Sequence, residues 1–130
     1  MISVSDKFEI TEIIHAYSNH LDSERIDLCC DLFIDEGKLE LRIGKAKGKK
    51  EIEILLKSIL VATRGKRHFI TNTVIEFSDS GEAFSQSYLL VLETINSTNT
   101  VMTGVYFDTF VKMSDSWKIH TRKLIVDLSF

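Results

Sequence analysis

The chain has 130 residues, 44% of them hydrophobic, and a formal net charge of −3 at pH 7. That length and apolar content are enough for one globular domain with its own core, and we expect a single domain over residues 1–130. The slightly acidic balance, without a basic stripe, argues against nucleic acid as the main partner. No window approaches the roughly 20 apolar residues of a membrane span, and the N-terminus lacks the layout of a signal peptide, so we expect a cytoplasmic protein without a membrane partner.

The cysteines and histidines give no indication of a disulfide framework or a metal site. Cys29 and Cys30 are adjacent, so they cannot bridge distant segments, and no second cysteine pair completes a zinc site. With Ile26 and Phe33 they follow the spacing i, i+3, i+4, i+7, which predicts reduced cysteines on one apolar helical stripe. The four histidines do not cluster with acidic neighbours, and we expect neither a metal ion nor a cofactor.

The first half of the chain has mainly the 3.6-residue period of helices. A first helix is predicted from an N-cap at Ser5 to about Asp22, and a second over residues 25–34, ended by an Asp-Glu-Gly sequence. A short strand is predicted over residues 38–43, and a third helix over residues 50–63. The expected buried positions are Ile10, Ile13, Ile14, Tyr17 and Leu21 in the first helix, Leu39, Leu41 and Ile43 in the strand, and Ile52, Leu55, Leu56, Ile59 and Leu60 in the third helix.

The second half changes to the two-residue period of strands. Strands are predicted over residues 68–77, 83–93, 101–113 and 117–126, joined by short turns rich in polar residues. These connections are too short for parallel crossovers, so the sheet should be largely antiparallel. Three helices on one face of such a sheet make an α+β fold with a wrapped, cone-like interior.

Four side chains are candidates for chemistry: Tyr17, Asp22, His68 and Arg122. His68 opens an apolar strand, where an imidazole is hard to bury without a partner, and it faces a helix ending in Asp22, which suggests a histidine–carboxylate pair. Tyr17 lies on the buried helical stripe, so its hydroxyl needs a partner. Asp22 lies about 100° from the centre of that stripe, so periodicity alone places it at the surface or the helix end.

Alternation along the strands predicts which residues share a face with these candidates. On the strand over residues 68–77 we expect His68 to lie beside Ile70, Asn72 and Val74. On the strand over residues 117–126 we expect Arg122 beside Leu124 and Val126, with Trp117 and Thr121 on the opposite face.

Several short motifs have the order and approximate spacing of a known family. They are Ile13-Ile14-His15-Ala16-Tyr17, Leu21-Asp22, Asp31-Leu32-Phe33, His68-Phe69-Ile70-Thr71-Asn72, Gly104-Val105-Tyr106, and Trp117-Lys118-Ile119 followed by Arg122. Over nearly the whole chain this pattern resembles the SnoaL-like branch of the nuclear-transport-factor-like superfamily. Its members include bile acid 7α-dehydratase, scytalone dehydratase and hexachlorocyclohexane dehydrochlorinase. The resemblance implies a cone-shaped α+β barrel, with three N-terminal helices packed on a curved, mostly antiparallel sheet.

The resemblance also implies a site. A His–Asp pair of the dehydratase and dehydrochlorinase members maps onto His68 and Asp22, with the aspartate turning from the end of the first helix into the cavity. Tyr17 matches a tyrosine of the bile acid dehydratase, and Arg122 matches an arginine a few residues after the Trp-Lys pair. Neutral His68 would act as a general base oriented by Asp22, while Arg122 or Tyr17 would stabilise developing negative charge.

The implied function is a cofactor-independent lyase or isomerase, dehydratase-like, acting on a hydrophobic, polycyclic or polyketide-like small molecule. Two positions depart from scytalone dehydratase, since Ser87 and Tyr106 stand near its second histidine and its asparagine, so a scytalone-like substrate is not expected. An alternative stays open. Asp22 could instead bind backbone amides at the start of the second helix, with His68 a satisfied core histidine and the protein a non-catalytic ligand-binding or assembly module.

We also expect a homodimer or homotrimer. Long strands rich in Phe and Val leave an outer sheet face, including Val105, Phe107 and Val111, that helices cover only in part. Relatives of the family assemble through this sheet. The larger aromatic residues are therefore expected in the core or in a subunit interface, namely Phe69, Phe77, Phe84, Phe107, Phe110 and Trp117.

Overall fold

A computed structural model describes the backbone of residues 3–129 and the side chains of residues 3–127. The elements in chain order are α1 (Val4–Asp22), α2 (Ile26–Cys30), β1 (Phe33–Leu41), β2 (Gly44–Lys47), α3 (Lys49–Thr63), β3 (Lys66–Phe77), β4 (Ala83–Glu93), β5 (Thr100–Met113) and β6 (Ser116–Ser129). Within this described part, no helix combines the length and the apolar character that crossing a membrane requires.

The described strands form one six-stranded sheet in the order β2-β1-β6-β5-β4-β3. Its neighbouring strands are antiparallel, apart from the parallel pair of β1 and β6. Three helices pack with the inner face of the sheet to enclose the core, so the predicted α+β architecture is confirmed. The stripe predicted for α1 is buried throughout, and in α3 Ile52 and Leu56 are buried while the other predicted positions are partly buried.

The first half differs from the prediction in three places. The N-cap of α1 is Ser3 rather than Ser5, and Ser3 forms a capping box with Asp6. The second helix is only five residues long, because the chain enters β1 at Phe33. Gly37 therefore lies inside β1 instead of ending a helix, and a Cβ there would come within 3.0 Å of the Phe33 ring.

An unpredicted edge strand, β2, pairs with the end of β1. It carries lysines on its exposed positions, which protects a sheet edge from pairing with other chains. The turn between β1 and β2 contains Ile43, whose side chain is 62% exposed. The prediction that Ile43 shares the buried face of Leu39 is therefore wrong.

Irregularities in the strands change which residues point inward. In β3 the register shifts between Thr71 and Val74, and Asn72 has a φ of 53°. Asn tolerates this left-handed conformation better than most residues. Before Asn72 in the chain, His68 and Ile70 face the core. After Asn72 the inward positions are Thr73, Ile75 and Phe77. Asn72 and Val74 are exposed, so the prediction that they share the face of His68 is wrong.

A second irregularity lies between β5 and β6. Phe110 pairs with Ile119 but Thr109 pairs with Thr121, so one residue of β6 is extra at this point. The inward positions consequently change from odd to even numbers, and Trp117 and Ile119 are buried on the same side as Arg122. The prediction that Trp117 faces away from Arg122 is wrong for this reason.

The buried positions of the two cysteines agree with the prediction. Cys29 and Cys30 are both buried and free, and burial raises the pKa of the Cys29 thiol to about 12. A thiol held protonated in this way is unreactive and behaves as a small apolar side chain.

The outer face of the sheet carries large exposed apolar side chains. Phe107 is 44% exposed there, and Val105 and Val111 beside it are half-buried, as predicted. The aromatic residues predicted for core or interface divide accordingly. Phe110 and Trp117 are buried and Phe77 packs against the core, whereas the side chains exposed on this face include Phe69, Phe84, Tyr88, Phe107 and Ile125.

Candidate active site

A cavity of about 340 Å³ lies between the helices and the inner face of the sheet. Its walls are mostly aliphatic, with residues from β4, β5 and β6 on one side and Ile59 of α3 on the other. The turn after β1 and the last turn of α3 border it as well, through Ile43 and Thr63. A mainly apolar cavity with few polar groups is the usual form of a small-molecule site.

His68 lines this cavity and forms a close pair with Asp22, which lies outside the cavity lining. Nδ1 of His68 lies 2.6 Å from Oδ1 of Asp22, and the His68 backbone N–H donates to Oδ2 at 3.1 Å. The imidazole side chain is 8% exposed and the carboxylate 20%. The Asp22 carboxylate can only accept a hydrogen bond, so this contact favours the neutral tautomer in which Nδ1–H is the donor. Nε2 is then the basic nitrogen of a ring that lines the cavity.

The end of α1 explains why periodicity misplaced Asp22. Asp22 is the last residue of the helix, and the chain turns directly after it, with Ser23 as the C-cap and Glu24 at a φ of 59°. A side chain in this position is no longer constrained to the solvent side of the helix stripe. The alternative role of Asp22 also fails, because α2 has no side-chain cap and both carboxylate oxygens contact His68.

Tyr17 and Tyr106 line the cavity near His68 and enclose a buried cation behind it. The two rings lie 6.2 Å apart at an interplanar angle of 74°. The Cζ of Arg122 lies 4.1 Å from the centroid of Tyr17 and 3.6 Å from that of Tyr106, so the guanidinium is stacked between both. Burial raises the pKa of both phenols against the opposing charge of Arg122, so both hydroxyls stay protonated hydrogen-bond donors.

The placement of Arg122 corrects its expected role. Its side chain is fully buried and does not line the cavity beside His68. None of its guanidinium nitrogens has a hydrogen-bond partner among the described residues. Arg122 therefore contacts the two tyrosine rings and does not itself line the cavity.

Asp108 is a buried acid next to this site that was not predicted from the sequence. Its Oδ1 lies 3.4 Å from Nε of Arg122, and its Oδ2 accepts a hydrogen bond from Ser85 at 3.4 Å. Burial raises the pKa of Asp108 to about 6, although Arg122 and Ser85 lower it. Alternation could have found it, because Tyr106, Asp108 and Phe110 occupy successive inward positions of an otherwise apolar strand.

No group of three or more His, Cys, Asp or Glu side chains within the described residues could hold a metal ion. A groove on the outer side of the pair, lined by His15, Ser18 and Asn19, gives the Asp22 carboxylate its partial contact with solvent. The chemistry that this arrangement supports is acid–base chemistry at His68, with two phenol donors nearby.

Comparisons with known proteins assign the chain to a family. Residues 3–123 match the family described as SnoaL-like domain. A protein of unknown function with a cystatin-like fold from Nostoc punctiforme PCC 73102 is 30% identical, with 99% of this chain and 96% of that chain covered and a TM-score of 0.92. A candidate scytalone dehydratase from Novosphingobium aromaticivorans DSM 12444 is 26% identical, with coverages of 98% and 87% and a TM-score of 0.83.

A third structure, LinA, has a TM-score of 0.85 over 96% of this chain and 88% of its own, but its 16% identity supports likeness of fold alone. The comparison with curated proteins gave no match. The expected resemblance is therefore confirmed at the level of sequence family and of fold: the chain belongs to the SnoaL-like domain family.

Proposed function

We propose that the protein is a cofactor-independent lyase or isomerase that removes a proton from a carbon next to a carbonyl group. The observation that carries this proposal is the 2.6 Å contact between Asp22 and Nδ1 of His68 at the wall of an apolar cavity. A candidate scytalone dehydratase among the similar structures supports the same class of reaction.

The reaction begins at Nε2 of His68, which accepts the proton and leaves the C–H electron pair on the substrate as an enolate. Asp22 stabilises the imidazolium that results. The enolate oxygen accepts hydrogen bonds from the hydroxyls of Tyr17 and Tyr106, which donate because burial keeps them protonated. In a lyase the enolate pair then expels a leaving group from the next carbon. In an isomerase His68 returns the proton to a different carbon.

The size of the cavity limits the size of the substrate. Its volume of about 340 Å³ lies near the lower end of the roughly 300–1,000 Å³ that small-molecule sites span. That space suits a molecule of one or two rings and is small for the larger polycyclic compounds that we considered from sequence. We therefore expect a hydrophobic ligand of one- or two-ring size.

Hydrogen–deuterium exchange tests the proton transfer without knowledge of the natural substrate. We expect the protein in D2O to accelerate exchange of the protons next to the carbonyl of 2-tetralone, a two-ring ketone, measured by proton NMR against buffer alone. Tyr17→Phe and Tyr106→Phe should each slow exchange by about 10- to 100-fold, the value of one hydrogen bond to a charged oxygen. Tyr88→Phe, on the outer sheet face, is the matched control and should leave the rate unchanged.

Two results would reject this proposal. The first is binding of 2-tetralone with exchange no faster than in buffer, which would favour a non-catalytic ligand-binding module of the same fold. The second is exchange that persists unchanged in a Tyr17→Phe/Tyr106→Phe double variant, which would remove the phenols from the mechanism.

We further propose that the protein forms a homodimer or homotrimer through the outer face of the sheet. Phe69, Tyr88 and Phe107 stand exposed on neighbouring strands there, forming an apolar patch of the kind that usually marks a contact. Phe107→Glu should shift the mass measured by light scattering at micromolar concentration to that of a monomer. Ile54→Glu, at an exposed apolar position of α3, is the control. A monomeric wild-type protein would refute this expectation.

A further inference from the structure

The lysine and the arginine that line the cavity have no acidic residue beside them in the described part of its lining. Lys66, the first residue of β3, and Arg42, in the turn after β1, both line the cavity. No aspartate or glutamate of the described residues lines the cavity, although the chain as a whole has a net charge of −3. An apolar cavity bordered by cations, in an acidic protein, selects for a ligand with negative charge at that border.

The turn before β3 holds Lys66 in a defined place. Gly65 has a φ of +70°, and its carbonyl accepts hydrogen bonds at 2.8 Å from both the backbone N–H and the hydroxyl of Thr94. Glycine is favoured here because few other residues adopt this positive φ readily. Lys66 and His68 then lie two residues apart on one strand face, about 7 Å along the strand.

Glu93 is the acidic group that would compete for Lys66. It pairs with Lys66 in the register of β3 and β4. Its carboxylate, however, accepts a hydrogen bond from the hydroxyl of Ser97, and no ion pair between Glu93 and Lys66 occurs among the described side chains. The ammonium of Lys66 is therefore left to contact a bound anion.

We propose that the ligand of this cavity is an amphipathic anion, with an apolar body of one or two rings and a carboxylate-like group that binds Lys66, with Arg42 as a second contact. The spacing of Lys66 and His68 along β3 separates this group by about 7 Å from the carbon that His68 would deprotonate. The orientation of the ligand rests on the proposed function, because it requires that the carbon acid face His68.

A pair of isosteric probes tests the charge preference directly. We expect 2-naphthoate to bind the wild-type protein about three- to tenfold more tightly than neutral 2-naphthamide, the range between an exposed ion pair and a charge-assisted hydrogen bond. Dissociation constants are measured by titration calorimetry, and the preference should shrink as the salt concentration rises. Lys66→Met should remove most of the preference for 2-naphthoate over 2-naphthamide. Glu93→Gln should increase this preference.

Lys57→Met is the matched control, since Lys57 is an exposed lysine of α3 that pairs with Glu53. It removes the same charge and should keep the preference. Equal affinities for the two probes in the wild-type protein would overturn the inference. So would a preference that survives in a Lys66→Met/Arg42→Met double variant, or the failure of both probes to bind at millimolar concentration.

The test of the ligand class and the test of the proposed proton transfer can fail independently. A wild-type protein that prefers 2-naphthoate but does not accelerate exchange of 2-tetralone would refute the proton transfer and leave the ligand class standing. A protein that accelerates exchange and binds both probes equally would refute the ligand class alone.

Discussion

His68→Ala and Asp22→Asn are each expected to slow proton exchange of 2-tetralone by about 10²–10⁴-fold, the usual contribution of a positioned acid–base group. His68→Ala removes the base itself. Asp22→Asn keeps the shape of the side chain but replaces an acceptor by an amide that can donate to Nδ1. The imidazole then holds its proton on Nε2, the nitrogen on which the proposed reaction depends.

The His68→Ala/Asp22→Asn double variant should exchange the protons of 2-tetralone only a little more slowly than either single variant, because the two residues act as one unit. Exchange is measured by proton NMR under the conditions used for the wild-type protein. Circular dichroism and urea unfolding accompany each measurement, since Asp22 also accepts the His68 backbone N–H and its loss will cost stability. His15→Ala is the control, because His15 is an exposed histidine of the same helix that lines only the outer groove.

The outcome that would contradict this mechanism is specific. If Asp22→Asn lowers the melting temperature while exchange continues at the wild-type rate, the pair serves to join α1 to β3 and the ligand-binding alternative is favoured. If the two single losses multiply in the double variant, His68 and Asp22 act independently and Asp22 is not the positioning residue.

Most of the fold could be predicted because local periodicity and burial agree along most of the chain. The buried stripe of α1 and the span of β4, residues 83–93, were both predicted correctly. The second helix was predicted to continue to residue 34, but β1 begins at Phe33, and the reason is non-local. Phe33 and Ile34 are both buried, which matches a helix as well as a strand, and the pairing of β1 with the distant β6 decides between them.

The bulges could not be predicted from alternation, because each depends on the partner strand. One extra residue in β3 at Asn72 and one in β6 before Thr121 reverse the inward positions that follow. The consequence for the site is direct. Without the second bulge Trp117 and Arg122 would lie on opposite faces, and the buried cation would not share the interior with the aromatic core.

The site was predictable in its residue types but not in its geometry. His68 could be singled out because an imidazole in an apolar strand needs a partner. Its partner Asp22 is 46 positions away and lies off the helical stripe, so the family resemblance was needed to predict that Asp22 turns inward. Asp108 was not predicted, although its alternation with Tyr106 and Phe110 indicates an inward acid.

Arg122→Met is expected to lower the free energy of unfolding by about 3–5 kcal/mol near pH 8, the usual cost of leaving one partner of a buried ion pair alone. Methionine retains much of the volume between Tyr17 and Tyr106, but the ionised carboxylate of Asp108 then has no counter-charge. This loss is a large part of the roughly 5–15 kcal/mol that stabilises a domain of this kind. Arg25→Met, at an exposed pair with Asp27, is the control and should cost less than about 1 kcal/mol.

The cost should be smaller at lower pH, because the folded protein can hold Asp108 in its neutral form. Burial raises the pKa of Asp108 to about 6 from its ordinary 3.8, and removing Arg122 takes away a charge that lowers it. Between the unfolded and the folded pKa, the folded state binds the proton more tightly, so stability rises as the pH falls through that window. The loss of unfolding free energy in Arg122→Met relative to wild type should therefore grow from about pH 5 to about pH 8.

Urea unfolding followed by the fluorescence of Trp117, the one tryptophan of the chain, measures this deficit. Adding Asp108→Asn to Arg122→Met removes the carboxylate that the first change leaves unpaired. The double variant should therefore recover stability near pH 8 and gain little near pH 5, where Asp108 is already protonated. A deficit that stays constant over this range, or a double variant that is no more stable than Arg122→Met near pH 8, would mean that the lost stability comes from the stacking between Tyr17 and Tyr106. In that case Asp108 would not be the counter-charge that keeps the cation behind the cavity.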